Sequence, residues 1–195
     1  MAQQVRTKLE LESGKKIARY KKLTIVQDLF CHHRFELTVP FQELENKDEI
    51  FFQQSHKDVC GKSLSISFES VTGNKPFGFC FRGIITEIML SNLSDFSNVF
   101  VIRGYSPTLL LEDYTVRRTF IKKNVQQIFD SVLNDYPGNI IKKKLNPAHQ
   151  ETISYAVQYD ETNFAFLSRL AAEYGEWFYY NGQEILLGSP RPAQE

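Results

Sequence analysis

The stretch YDETNFAFLSRLAAEYGEWFYYNG, Tyr159 to Gly182, carries a helix, its termination and a hairpin in direct succession. Phe164, Leu167, Leu170, Ala171 and Tyr174 recur at helical spacing, so they mark the buried side of a helix that Asp160 is placed to cap. Gly175 follows in the position of a left-handed helix cap. Trp177–Tyr180 and Gln183–Leu187 then flank Asn181-Gly182, a dipeptide that tolerates the positive φ of a type I′ hairpin turn. Just upstream, Tyr155, Val157 and Tyr159 alternate as a strand.

A second helical stripe lies further toward the N-terminus. Val125, Ile128, Phe129, Val132, Leu133 and Tyr136 share one face; Asn124 with Gln127 forms a capping box, and Pro137-Gly138 ends the helix. Before about Tyr105 the period is two. Phe35, Leu37, Val39 and Phe41 alternate with polar residues, as do Leu64, Ile66 and Phe68. Phe77, Phe79 and Phe81 break phase at Gly83 before Ile84, Ile85 and Ile88, which predicts a bulge or a sharply coiled strand. Val99 and Val101 oppose Phe100 and Ile102, and Leu23 and Ile25 open the series. The fold class expected is α+β: a small antiparallel β-barrel over 1–107, then an α/β segment over 108–188 with two helices and a C-terminal hairpin.

The chain has 195 residues, 42% of them hydrophobic, enough for a core of its own. Lys plus Arg and Asp plus Glu number 23 each, so no global field draws it to nucleic acid or an anionic membrane. The basic runs around Lys15, Arg19 and Lys142–Lys144 read as solvated faces and loop ends. Three cysteines, Cys31, Cys60 and Cys80, are too few and scattered for a disulfide framework and read as small buried hydrophobes in a reducing compartment. No apolar signal core and no run long enough to span a membrane occurs.

Motifs for chemistry are thin. Gly61-Lys62-Ser63 echoes a P-loop, but His56 stands where the first glycine belongs and a strand follows. Cys31-His32-His33 and His56…Cys60 hold zinc-type ligands without the spacing of a site. Glu43, Glu45, Asp48 and Glu49 read as a solvated loop. Phe77, Phe79, Phe81, Phe178, Tyr179 and Tyr180 either line a carbohydrate groove or, the better reading, serve core and interface. No catalytic, cofactor or metal residues are expected.

The opening stretch also carries a resemblance. From Tyr155 to Tyr180 it resembles the signature of the VgrG spike proteins of type VI secretion, with Gln158, Tyr159, Glu161, Phe164, Phe166, Ser168, Arg169, Leu170, Glu173 and Gly175 in the family's order. GKSLSISFES, FRGIITEI and RRTFIKKNVQQIFDSVL are similar to segments upstream in that family. The resemblance runs from about Arg34 to Gly188. It implies a fold like the hub of contractile phage tails, trimerising into a ring on the tail tube. It further implies a structural, non-enzymatic role in a type VI or related injection apparatus. The partners implied are a second and third copy, the tail-tube protein, baseplate components and C-terminal spike domains or an effector. Assembly in the cytoplasm and export by the apparatus follow. A prophage tail baseplate hub shares the same motif, and a carbohydrate-binding or cell-wall-acting module is the rival from another class. Arg169 and Glu161, eight residues apart, are expected to form a structural pair with other groups between them. Family members continue through further domains, whereas LLGSPRPAQE ends this chain; 189–195 reads as a linker or truncated end, and the puncturing role is not implied for these residues.

Overall fold

The computed structural model describes residues 5–29, 31–44, 59–70, 78–92 and 98–190. They fall into two compact units, one of 1–27 and 33–106, the other of 28–32 and 107–195.

In the first unit, β1 (Val5–Leu11), β2 (Lys16–Ile17), β3 (Lys22–Val26), β4 (Arg34–Pro40), β5 (Ser63–Ser70), β6 (Gly78–Asn92) and β7 (Asn98–Tyr105) form an antiparallel sheet in the order β2-β1-β5-β6-β7-β4-β3. Chain connectivity forces this sheet to curl. Its two edges, β2 and β3, are joined by residues 18–21, and five steps of extended chain span at most about 18 Å. Laid flat, six strand spacings of about 4.8 Å would separate those edges by roughly 29 Å. The result is a curled half-barrel. Glu43, in the short helix α1 (Phe41–Leu44), ties the two edges together, accepting from the amides of Ala18 and Arg19 and from Arg19 Nε at 2.7 Å. Its side chain is only 9% exposed, so the expectation of a solvated loop fails at Glu43; Glu45, Asp48 and Glu49 lie outside the described residues.

β6 turns the corner. Its first half pairs with β5 and its second half with β7, and the ladder skips Thr86 between Ile85 and Glu87. The expected bulge is therefore three residues beyond Gly83. Gly83 serves close packing instead: the Phe35 ring lies across Gly83 and Gly104, where a Cβ would fall 2.5 and 2.6 Å from it. The alternating residues read from the sequence, among them Phe35, Leu37, Val39, Leu64 and Ile66, form the core with Phe81, Ile85, Phe100 and Ile102. Phe77 lies outside the described residues.

The second unit opens with a 3-10 turn (Pro107–Glu112) and β8 (Thr115–Lys123), then α2 (Val125–Leu133), β9 (Lys143–Leu145), β10 (Ile153–Thr162), α3 (Asn163–Glu173), β11 (Phe178–Tyr180) and β12 (Ile185–Leu187). β8 and β10 make a two-stranded antiparallel ribbon; β11-β12-β9 is a second small sheet in which β9 runs parallel to β12. The α2 capping box forms as expected, with Asn124 and Gln127 bonding each other's backbone amides at 2.9 and 3.0 Å. The helix ends at Leu133, earlier than Pro137. Asn134 caps it, and Lys143 Nζ bonds Asn134 Oδ1 and Asp130, a cation held where the helix dipole favours one. The hairpin loop is four residues long: Tyr180 pairs with Ile185, and Asn181 Oδ1 accepts from the amides of Gln183 and Glu184. That side-chain turn replaces the expected two-residue type I′ turn. Phe120 stacks on Phe166 at 5.6 Å, and Phe178 sits edge-on to Phe129, closing a core between ribbon and helices.

Candidate functional site

The signature residues converge on the passage from β10 into α3. The strand runs to Thr162, three residues past Tyr159, and the ladder skips Asp160 between Tyr159 and Glu161. Asp160 takes φ 51° there, a left-handed conformation that Asp tolerates better than most residues. Its carboxylate is gripped by Arg117 Nε and Nη2 at 2.7 and 2.6 Å, which holds it below the usual carboxylate range. The cap of α3 is therefore Thr162, not Asp160: Thr162 Oγ1 accepts from the Ala165 amide at 3.1 Å.

Gln158, fully buried, locks the inner side of the bulge. Its Nε2 donates to Glu161 O at 3.1 Å and to Asn163 Oδ1 at 2.9 Å, and Asn163 Nδ2 donates to Tyr136 Oη at 2.7 Å. Burial raises the Tyr136 hydroxyl above its ordinary pKa, against the opposing hydrogen bond from Asn163. Gln158 Oε1 is buried without a hydrogen-bond partner.

Glu161 and Arg169 pair directly. Glu161 ends a strand that folds back along the helix, so a spacing of eight residues becomes a forked bond, with Arg169 Nε and Nη2 at 3.2 and 2.5 Å from the two carboxylate oxygens. The expectation of intervening groups assumed one continuous helix. Nη2 also donates to Val157 O at 2.9 Å. The carboxylate beside it raises the guanidinium pKa.

Phe166 and Leu170 are buried, whereas Phe164 and Tyr174, expected on the buried face, are half-exposed. Phe164 packs beside the His32 ring at 4.2 Å and the Phe178 ring at 5.7 Å. Ser168 is half-buried. Gly175, at φ 69°, completes a Schellman motif: its amide reaches Ala172 O, and the Glu176 amide reaches Ala171 O at 2.8 Å. Tyr159 points outward at 67% exposure, under the Arg117 guanidinium.

Tyr159 belongs to the other face of the ribbon. Across the strands Tyr155 stands opposite Ile121, Val157 opposite Thr119 and Tyr159 opposite Arg117, and Tyr155 and Ile121 are each 63% exposed. This row places Tyr155, Tyr159 and Ile121 toward solvent. Sequence reading missed its outwardness, and it missed Arg117, Tyr136, Thr162 and Asn163 as positioning residues.

The P-loop echo and the Cys31-His32-His33 run have structural partners. Gly61 N bonds Ile85 O and Ile85 N bonds Lys62 O, so the P-loop echo is stitched into the sheet. His32 bonds Thr108 and Glu112, and His33 bonds Gln27. Among the described residues no group of three His, Cys, Asp or Glu side chains is placed to hold a metal; His56 lies outside them. Cys31 is exposed rather than buried. Phe81, Phe178 and Tyr180 are core residues and Phe79 stacks on Phe68, so these aromatics form no sugar platform and the carbohydrate reading has no support. No helix among the described residues is long and apolar enough to cross a membrane.

Comparison with known proteins gives a consistent result. The family model described as phage tail baseplate hub (GPD) matches residues 31–193. The type VI secretion system spike protein VgrG1a of Pseudomonas aeruginosa is 26% identical over 133 residues, 66% of this chain and 19% of the relative. The 43 kDa tail protein of prophage MuSo2 from Shewanella oneidensis shares the fold at a TM-score of 0.71 and 16% identity, over 98% of this chain and 55% of that one. An Escherichia coli component of the type VI secretion system, itself described as similar to T4 tail proteins gp27 and gp5, aligns at a TM-score of 0.62 and 15% identity, over 96% and 50%. The chain thus spans about a fifth of the curated relative and about half of these two structures.

Proposed function

The chain belongs to the phage tail baseplate hub family, and from that premise we propose that it is a structural hub component of a type VI secretion or related contractile apparatus. The observation that carries the proposal is the family match over 31–193. It spans both compact units, and in the second the signature residues Gln158 and Gly175 stand at backbone features, the first locking the bulge at Asp160 and the second forming the Schellman turn that ends α3. Membership of a tail baseplate hub family supports a mechanical, non-enzymatic role. Gln158, Tyr159, Glu161, Phe164, Phe166, Ser168, Arg169, Leu170 and Gly175 act as structural residues. We assign 1–107 to a β-barrel hub domain and 108–188 to an α/β hub segment.

Three copies close a ring that seats on the tail-tube protein, meets baseplate components and carries spike domains or an effector. The ring assembles in the cytoplasm and leaves through the apparatus. A prophage tail baseplate hub is the second reading, favoured by the likeness to the prophage tail protein; it changes the machine and not the role.

The test is deletion of the gene in cells that fire the apparatus, followed by immunoblotting of the tube protein in the medium and, for a prophage, by counting infective particles. Loss of both, restored by the gene in trans, is expected. Tube release at the parental level together with undiminished particles overturns the proposal.

A further inference from the structure

At the end of α3 a cleft of about 210 Å3 is lined by Leu29, Ala172, Gly175, Glu176, Trp177 and Phe178. It is smaller than the roughly 300–1,000 Å3 of small-molecule sites, so it suits one anchoring side chain rather than a cofactor. Leu29 and Trp177 line it 45% and 44% exposed, so two large apolar side chains face solvent together at one cleft. Its polar wall is acidic: Glu176 lines it, with one carboxylate oxygen taken by the His149 amide, and Glu173, exposed on the same last helical turn, lies beside it with one oxygen 3.8 Å from Arg169 Nη1. The small residues Ala172 and Gly175 are exposed there and leave the backbone open to approach.

The complement of that cleft is displayed by the same chain. Ile121 projects from the outer face of the β8–β10 ribbon at 63% exposure, beside Tyr155. Lys122 follows it, exposed and held at φ 50°, and among the described residues its ammonium has no ion-pair or hydrogen-bond partner. An apolar side chain followed in sequence by a cation without a partner among the described residues is complementary in chemical character to an apolar cleft bordered by carboxylates.

We infer that the Trp177 cleft receives Ile121 of a second copy of this chain, with Lys122 facing Glu176 and Glu173. The contact joins two different patches, so it is heterologous and propagates into a closed ring when the rotation allows. It rests on the ring proposed above and names the surfaces that build it.

The experiment uses the full chain, whose single tryptophan makes fluorescence a direct probe of the cleft. Sedimentation and Trp177 emission are followed against concentration. The wild-type chain is expected to associate with an emission shift to shorter wavelength as Trp177 is covered. Ile121→Asp, on an exposed position, and Ala172→Arg, on an exposed helical position, each keep the wild-type circular dichroism and each weaken association roughly tenfold or more. Mixed in equal amounts they restore a dimer, because the first keeps an intact cleft and the second keeps Ile121. A wild-type chain that stays monomeric at every concentration overturns the inference. So does association without a Trp177 shift, or a mixture of the two variants that stays as monomeric as each alone. Tube release from cells reports on the hub role separately, so a failed contact and a failed role are distinguishable.

Discussion

Gly104→Ala tests whether the Phe35 ring packs against Gly83 and Gly104 as described. An alanine Cβ at 104 falls 2.0 Å from Ile84 O and 2.6 Å from Phe35 Cε1 and Cζ. The carbonyl belongs to β6 at the corner where that strand passes from β5 to β7, so the backbone cannot yield without breaking the ladder beside it. Expelling Phe35, which is 2% exposed, forfeits a buried aromatic side chain, about 3–5 kcal/mol. For a chain of this size each kcal/mol lowers Tm by about 2–4 °C, giving a drop of roughly 6–20 °C. Gly83→Ala meets side chains alone, Phe35 at 2.5 Å and Phe81 at 3.0 Å, which can pivot at a cost of about 1–3 kcal/mol. In a Phe35→Leu background the Gly83→Ala penalty should shrink, whereas the Gly104→Ala penalty should persist because Ile84 O remains. Urea midpoints for the two double-mutant cycles measure this. A Gly104→Ala loss below about 1 kcal/mol, or equal coupling of both glycines to Phe35, refutes the packing argument.

Thr162→Ala should cost about 1 kcal/mol by uncapping α3; Asp160→Asn, which keeps a residue tolerant of positive φ and leaves the cap intact, should cost less, and urea denaturation that ranks them the other way excludes Thr162 as the cap. Gln158→Leu orphans Asn163 Oδ1 and Glu161 O and should cost about 2–3 kcal/mol, with faster amide exchange across the first turn of α3 as its signature. Arg169→Lys loses the fork to Glu161 at a half-exposed site and should cost no more than about 1 kcal/mol, with Tm as the readout. Four carboxylates are held below their ordinary pKa: Glu12 chiefly by the Ser63 amide, Glu43 chiefly by Arg19, Asp130 chiefly by Lys143 and Asp160 chiefly by Arg117. Their stabilisation is present above the unfolded values of about 3.9 for Asp and 4.3 for Glu, and is lost as pH falls through the lower folded values. Tm should therefore hold from neutral pH to about 5 and decline below about 4, with a smaller acid decline in Glu43→Gln; a Tm that rises through that window contradicts the assignment.

Legibility in the sequence followed how local each constraint is. β4 and β5 could be read because one face of each is buried and the other polar, so parity alone finds them. β1 escaped notice because only Leu9 and Leu11 are buried among its charged residues, and β8 because Phe120 is its one fully buried side chain. The capping box of α2 and the Schellman glycine of α3 involve residues within one turn, and both appeared where read. The bulge in β6 falls on Thr86, whose type carries no bulge signal, while Gly83, which does carry one, answers to a ring that arrives from β4.

The same reasoning explains why the outward row of the ribbon was not legible. Alternation in Tyr155, Val157 and Tyr159 fixes that these side chains share a face of the ribbon, but it cannot say which face is covered. That is decided by Phe120 and Gln158, whose partners Phe166 and Asn163 come from α3. Once Gln158 is drawn inward by Asn163 and Glu161, strand parity turns Tyr159 outward, and the cross-strand register turns Ile121 outward with Tyr155. The exposed apolar row is thus a consequence of the buried polar knot behind it. A substitution at Gln158 that loosens the bulge should therefore weaken self-association even though Gln158 itself is buried, whereas one at Ile121 should weaken association and leave the fold untouched.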